Sequence, residues 1–382
     1  MSAFHRLLVL FPDPVTPLIE KVEITDRYFN PGDLFDEVHL VTTCADTYAP
    51  ASIQRMAGRA RLVCHQLDTP PLFFWRTLGW QRTLMGTWLS RAARLGGEIK
   101  PSLIRCYQPH INAFAGAAAR VATGAPLIVS LHTRPDVYYA QSLAERYRMT
   151  AVERLYRRGL RLADRVVAIY GSQAPYLARI GIERFDLAYN IINPTRIVRK
   201  ADYRVSGRPR VVSVGRLIPG KLPLNLLRAC ARIEDVEVTI IGDGPLRGAL
   251  EVEARTLGIG DRCRFIASMP NDEVCSRLHE WDVFATHSDY PEIPKAVLEP
   301  FLVGLPIVIN RPASDRVPEY EDAPCRVVEN SVEGYRAALA DLIGDDGARE
   351  RLGRAAGVHA WKVWAPETTE QRYADIYREM TA

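Results

Sequence analysis

Short apolar runs, each bounded by polar or turn-forming residues, recur along the whole chain. In the first half they are Leu7–Phe11, Val38–Thr42, Leu62–Leu67, Leu103–Tyr107, Leu127–Leu131, Val166–Ile169 and Leu187–Ile192. In the second half they are Val211–Val214, Val236–Ile241, Arg264–Ile266, Val283–Thr286, Ile307–Ile309 and Arg326–Val328. A strand buried on both faces reads as a continuous apolar run rather than an alternation. Stretches of helical character separate most of the runs, including Asn112–Ala122 and Ser142–Ala163. Strands alternating with helices predict βαβ units around parallel sheets. Trp361–Met380 reads as one or two further helices, with Trp361, Trp364, Tyr373 and Tyr377 as apolar anchors.

The alternation pauses at Asn193–Arg210, which carries two prolines, a glycine and several charges. A chain of 382 residues is longer than one core usually supports. The expected organisation is a first α/β domain over 1–193, a linker over 194–209 and a second α/β domain over 210–360. The C-terminal segment 361–382 either packs on the second domain or crosses back to the first.

Composition narrows the class. A net charge of +4 does not argue for nucleic acid, and no recognised nucleic-acid motif is present. Seven cysteines without CxxC or Cys/His ligand spacing read as reduced thiols of a cytoplasmic protein. No apolar run approaches the roughly 20 residues that cross a bilayer, and Leu7–Phe11 reads as a first strand rather than a signal peptide. One segment is unusual. From Thr69 to Gly97 there is no acidic residue, and Phe73, Phe74, Trp75, Trp80 and Trp88 are interleaved with Arg76, Arg82, Arg91 and Arg94. Such a stretch either lies at a membrane interface or packs its aromatics inward and leaves its arginines in water. The basic helix through Arg146, Arg154 and Arg161 contains Glu145 and Glu153 and reads as a solvated face.

The chemistry concentrates in the second half. Val214-Gly215-Arg216-Leu217-Ile218-Pro219-Gly220-Lys221 ends an apolar strand and places two cations five positions apart. Open α/β sheets bind ligands at the carboxyl edge of their strands. A planar guanidinium beside a mobile ammonium suits a diphosphate, although two solvated surface cations would read the same way. Next comes Ile241-Gly242-Asp243-Gly244-Pro245, a strand running into a glycine-bracketed turn. A prolyl loop, Tyr290-Pro291-Glu292-Ile293-Pro294-Lys295, then leads into a helix holding Glu299 and on to Gly304-Leu305-Pro306-Ile307-Val308. Glu299 is read as an acid in the first turn of that helix, where the helix dipole favours it.

In this order the motifs resemble the nucleotide-binding half of GT-B glycosyltransferases, most closely the retaining family called GT4. The resemblance is carried by residues 210–308 and implies two Rossmann-like domains facing across a cleft. It implies a retaining transferase that moves a sugar from a UDP- or GDP-linked donor to a saccharide, lipid-linked or small-molecule acceptor. No nucleic-acid partner is implied. Arg216 and Lys221 would hold the donor diphosphate, and Glu299 would take the ribose hydroxyls. Gly215, Gly242, Gly244, Pro294, Lys295 and Ala296 would line the donor site, with Glu292 touching the sugar. His132, at the tip of the first-half strand Leu127–Leu131, would position the transferred sugar. No cofactor and no metal are implied, since no Asp-x-Asp motif is evident. The expected location is cytoplasmic, with peripheral contact to the inner face of a membrane through 69–97.

The chain departs from the pattern in three places. Pro291 stands where the family opens the acidic loop with glutamate, so the loop is read as one residue shorter, with Glu292 filling that role. Leu222 replaces the small residue after the lysine, and Pro12-Asp13-Pro14-Val15-Thr16-Pro17 replaces a glycine-rich loop. Two other readings share the resemblance: a nucleotide-sugar epimerase or hydrolase, and a catalytically impaired nucleotide-sugar binding subunit.

Overall fold

The structure, a computed structural model, describes residues 5–69, 82–137 and 142–382. Two parallel sheets organise the described residues, and every neighbouring pair of strands is parallel. The first sheet holds β1 (Arg6–Phe11), β2 (Glu37–Thr42), β3 (Arg61–Gln66), β4 (Leu103–Tyr107), β5 (Leu127–Leu131), β6 (Arg165–Ala168) and β7 (Asp186–Leu187), in the order β3-β2-β1-β4-β5-β6-β7. The second holds β8 (Arg210–Val214), β9 (Glu237–Ile241), β10 (Cys263–Ile266), β11 (Val283–Thr286), β12 (Ile307–Asn310) and β13 (Arg326–Val328), in the order β10-β9-β8-β11-β12-β13. Each strand overlaps an apolar run of the sequence, and the central strands are buried on both faces: Leu7, Val9, Ile104 and Val129 are fully buried, as are Val211, Val212 and Phe284. In each sheet the winding reverses between the first and fourth strands, β1 and β4 or β8 and β11. The carboxyl edge at such a reversal is where a crevice opens.

The first compact unit comprises Met1–Ile191 and Glu367–Ala382; the second comprises Ile192–Pro366. All of the C-terminal helix Pro366–Thr381 except its first residue thus belongs to the first unit. Its Tyr373, Ile376 and Tyr377 are buried in one cluster with Phe35, Val38 and Leu40. The Tyr373 hydroxyl donates to the Ala188 carbonyl (2.9 Å), and Arg372 donates to Asp186 (2.6 Å). Beneath them Arg105 of β4 is fully buried, its guanidinium 4.9 Å from the Tyr107 ring centre and 5.5 Å from that of Tyr373. Such cation–ring contacts strengthen when water is excluded.

Two sequence expectations are refined, and a third falls partly outside the described residues. The run Leu187–Ile192 yields only a two-residue strand, β7, at the edge of the sheet. Residues 194–209, expected as the linker, fall within the second compact unit. Their polar pattern conceals two anchors: Lys200, whose ammonium donates to the carbonyls of His279 (2.9 Å) and Trp281 (2.8 Å), and buried Tyr203, whose hydroxyl donates to the Gly304 carbonyl (2.8 Å). In the basic segment 69–97, residues 70–81, and with them Phe73, Phe74, Trp75, Arg76 and Trp80, lie outside the described residues. Trp88 of the helix Arg82–Ile99 packs inward, its indole nitrogen donating to the Leu67 carbonyl (3.2 Å), and Arg94 pairs with Glu98. Among the described residues no helix is long and apolar enough to cross a membrane.

A chain ending at Pro366 loses three buried side chains from the first core, each contributing about 1.5–3 kcal/mol. That is a large share of a typical domain stability of about 5–15 kcal/mol. Urea unfolding of the shortened chain should therefore show the first unit lost or melting early, while a transition assignable to the second unit persists.

Candidate active site

At the carboxyl edge of the second sheet, between β8 and β11, lies a cavity of about 340 Å³. Its wall is built from three segments: Ser213–Leu217 with Lys221 and Pro223 after β8, Thr286–Ser288 with Glu292 after β11, and Pro294–Val297 at the start of the helix Lys295–Val303. The geometry follows from local chemistry. The β-branched run Arg210–Val214 ends at Gly215, and the next turn continues the ladder toward β9. Gly215 N donates to Ile241 O (3.0 Å), Leu217 N to Asp243 O (2.9 Å), and Leu246 N to Leu217 O (3.1 Å). This approach requires glycine at two positions. A Cβ on Gly242 (φ 151°) would lie 1.9 Å from Gly215 O, and one on Gly244 (φ 154°) would lie 2.3 Å from Leu217 O.

The loop after β11 is stapled to the loop after β8. Asp289 N donates to Gly220 O (2.7 Å), and the Tyr290 hydroxyl donates to Pro219 O (3.1 Å). The Lys221 ammonium forms an ion pair with Glu292 and lies 5.4 Å from the Tyr290 ring centre. Arg216, which is exposed, forms no ion pair among the described residues. Pro294 precedes the helix Lys295–Val303 without a side-chain cap, so that helix presents its backbone N-terminus to the cavity.

Of the residues expected from the sequence, Gly215, Arg216, Lys221, Glu292, Pro294, Lys295 and Ala296 meet at this wall. Gly242, Gly244 and Glu299 do not. The two glycines stand behind the wall, where they permit the close approach that sets the Arg216 loop. Glu299 is not in the first turn, as the sequence pattern suggested: the helix begins at Lys295, which puts it in the second turn. It is buried, and its Oε1 accepts from the Asn271 side chain (2.9 Å). The neighbouring Cys275 thiol is pushed well above its usual range by burial, reinforced by the carboxylate.

His132 lies in the first unit, directly after β5. Its Nε2 is 2.8 Å from the Ser130 hydroxyl, its ring packs on Tyr107 with centres 5.3 Å apart, and its carbonyl accepts from the Tyr170 hydroxyl (2.6 Å). Among the polar cavity residues, Ser213, Thr286, His287 and Ser288 were not singled out from the sequence. A histidine in an apolar strand end carries no periodic signal, and only its place beside β8 reveals it. No group of three or more His, Cys, Asp or Glu suited to a metal ion occurs among the described residues.

With this geometry in view, the likenesses to known proteins fall into place. Residues 196–358 match the family described as "Glycosyl transferases group 1", and residues 33–189 match the "Glycosyl transferase 4-like domain". The chain is 26% identical over 211 residues to 2-deoxystreptamine glucosyltransferase of Streptomyces kanamyceticus, covering 50% of this chain and 54% of that one. It is 26% identical over 303 residues to D-inositol 3-phosphate glycosyltransferase of Kribbella flavida, covering 70% of each. The chain spans about half the length of most curated relatives it matches. Among solved structures, HepE of Anabaena in complex with UDP-glucose superposes with a TM-score of 0.68 at 17% identity, over 98% of this chain and 99% of that one.

The close approach after β8 makes a testable contrast. Gly242→Ala should cost about 1–3 kcal/mol or more through the clash with Gly215 O. Gly215→Ala meets nothing within 4 Å and should shift the urea midpoint little. Equal destabilisation by the two would show that the turn does not set the loop.

The two family matches together cover most of both units, and the solved neighbour shares the fold of the whole chain; the chain belongs to the GT4-like glycosyltransferases of GT-B fold.

Proposed function

We propose that this protein transfers a sugar from a nucleotide-sugar donor to an acceptor hydroxyl with retention at the anomeric carbon. The acceptor class is a saccharide, a lipid-linked saccharide or a small molecule. The observation that carries this reading is the cavity at the β8/β11 reversal, where Arg216, Lys221 and a helix N-terminus share one wall. Backbone N–H groups at a helix start favour an anion, and fixed cations aimed at developing charge stabilise a leaving diphosphate. The name of the Anabaena neighbour, solved with UDP-glucose, supports a nucleotide sugar as donor.

Arg216 is assigned to the diphosphate directly. Lys221 joins it, oriented by Glu292 and the Tyr290 ring, so Glu292 acts here by holding the ammonium. Glu299, fixed by Asn271, is assigned to the ribose hydroxyls, and His132 to positioning of the transferred sugar. Retention by double displacement needs a carboxylate nucleophile as well as an acid. Glu292 is the only carboxylate in the cavity wall among the described residues, and it is engaged by Lys221. That favours front-face departure and attack. No cofactor is required: the donor itself supplies the activated bond. An epimerase or hydrolase on the same framework would process the donor alone.

UDP-glucose or GDP-mannose should raise the melting temperature of the full chain, increasingly so with concentration. Arg216→Ala should lower kcat by roughly 10²–10³-fold while leaving the ligand-free melting temperature in place. Proton NMR of the glycoside formed should report the donor's anomeric configuration. Free sugar or an isomerised donor accumulating without acceptor would replace this reading with hydrolysis or epimerisation.

A further inference from the structure

β11 neighbours β8 across the reversal, and the first residue past it is His287. Its backbone is held from beneath by two buried polar side chains. The Asn310 amide donates to Ser288 O (3.0 Å) and accepts from Ser288 N (2.8 Å), and the Tyr335 hydroxyl donates to Thr286 O (2.8 Å). The His287 side chain is 6% exposed and lines the same cavity as Arg216 and Lys221, with Nε2 3.3 Å from the Asp289 carboxylate. Its other ring nitrogen, Nδ1, is buried and has no hydrogen-bond partner among the described residues. Buried polar atoms are nearly always satisfied. An unsatisfied nitrogen on a ring that lines a binding cavity marks a contact that a ligand can complete.

We infer that His287 is a direct contact to the donor diphosphate and takes up a proton as the donor binds. The proton comes from solvent. Nδ1–H then donates to a phosphate oxygen while Asp289 accepts from Nε2–H, and the proton returns to solvent when the nucleotide leaves. This rests on the cavity being a nucleotide-sugar site and adds to it a protein–proton linkage.

The charges around the ring support the step. In the free chain burial depresses the basicity of His287, with Asp289 opposing, so the imidazole is neutral near pH 7. Arg216 and Lys221 from the β8 loop and Lys295 from the helix start disfavour a further positive charge. Glu292 offsets Lys221. Tyr335, beneath, is held neutral because burial raises its hydroxyl well above the usual range. Arg216 and Lys221 on the cavity wall are thus matched by the carboxylates of Glu292 and Asp289. A nucleoside diphosphosugar brings two negative charges to this balanced wall, and an imidazolium offsets one of them. Opposite charge nearby favours the charged form of a titrating group.

The sign of the linkage follows. Binding that takes up a proton weakens as pH rises, by up to about tenfold per pH unit where uptake is complete. The test is calorimetric titration of the full chain with UDP-glucose and with GDP-mannose, in buffers of different ionisation enthalpy. These diesters carry no phosphate that titrates near neutrality, so any proton exchanged belongs to the protein. We expect uptake approaching one proton in the parent chain and none in His287→Asn, whose side-chain amide can still donate but does not titrate. Binding of either sugar nucleotide without uptake, or with undiminished uptake in His287→Asn, overturns the inference alone. No binding of either probe overturns the donor-site reading and the inference with it. Should His287→Asn fail to fold, the pH slope of the parent chain's affinity decides: a flat profile overturns the inference.

Discussion

The second unit depends on how closely two stretches of backbone meet after β8 and β9. Gly242 and Gly244 face the carbonyls of Gly215 and Leu217 at distances no side chain could share. Amides 215 and 217 are bonded to carbonyls 241 and 243. Arg216 sits between those two anchored residues, so its exposed side chain springs from backbone with little freedom to drift. A flexible loop would have to order its cation on binding, at an entropic cost. Here that cost is met during folding. The glycine-bracketed turn is thus a structural device serving a chemical one, and it never touches the cavity.

A second constraint ties the loop after β11 to the loop after β8. The Asp289 amide, the Tyr290 hydroxyl and the Lys221–Glu292 pair all cross the same gap. Parallel sheets bring strands distant in sequence side by side, and here the two loops are joined at the one place where the winding reverses. Pro291, where the family resemblance leads one to expect a glutamate, falls within this stapled loop, and the next residue, Glu292, engages the lysine opposite.

The fold was legible because parallel strands buried on both faces leave continuous apolar runs, and runs such as Val211–Val214 and Ile307–Ile309 fall on strands. Where burial is one-sided or partial the signal weakens. β7 shrinks to two residues at a sheet edge, and the polar-looking stretch 194–209 hides Lys200 and Tyr203, whose polar tips are satisfied by distant carbonyls. At the site, the cations and the helix start could be read because they sit next to strand ends. Partnerships could not: Lys221 and Glu292 lie 71 residues apart in sequence, and His287 gains meaning only from β8 beside it. The depth of Glu299 was misjudged because a proline-rich approach does not reveal at which residue the helix begins.

The Lys221–Glu292 pair has a consequence for how binding energy would be distributed in the proposed transfer. In the free chain the ammonium already has a counter-ion, so an incoming diphosphate gains less from Lys221 than from Arg216, which forms no ion pair. As the glycosidic bond stretches, negative charge accumulates on the departing oxygen, and the lysine's balance swings from the carboxylate toward the phosphate. An interaction that strengthens between ground state and transition state accelerates the reaction, whereas one equally strong in both only tightens binding. In the proposed transfer both cations would then act on the departing diphosphate, Arg216 from the outset and Lys221 increasingly as its balance shifts away from Glu292.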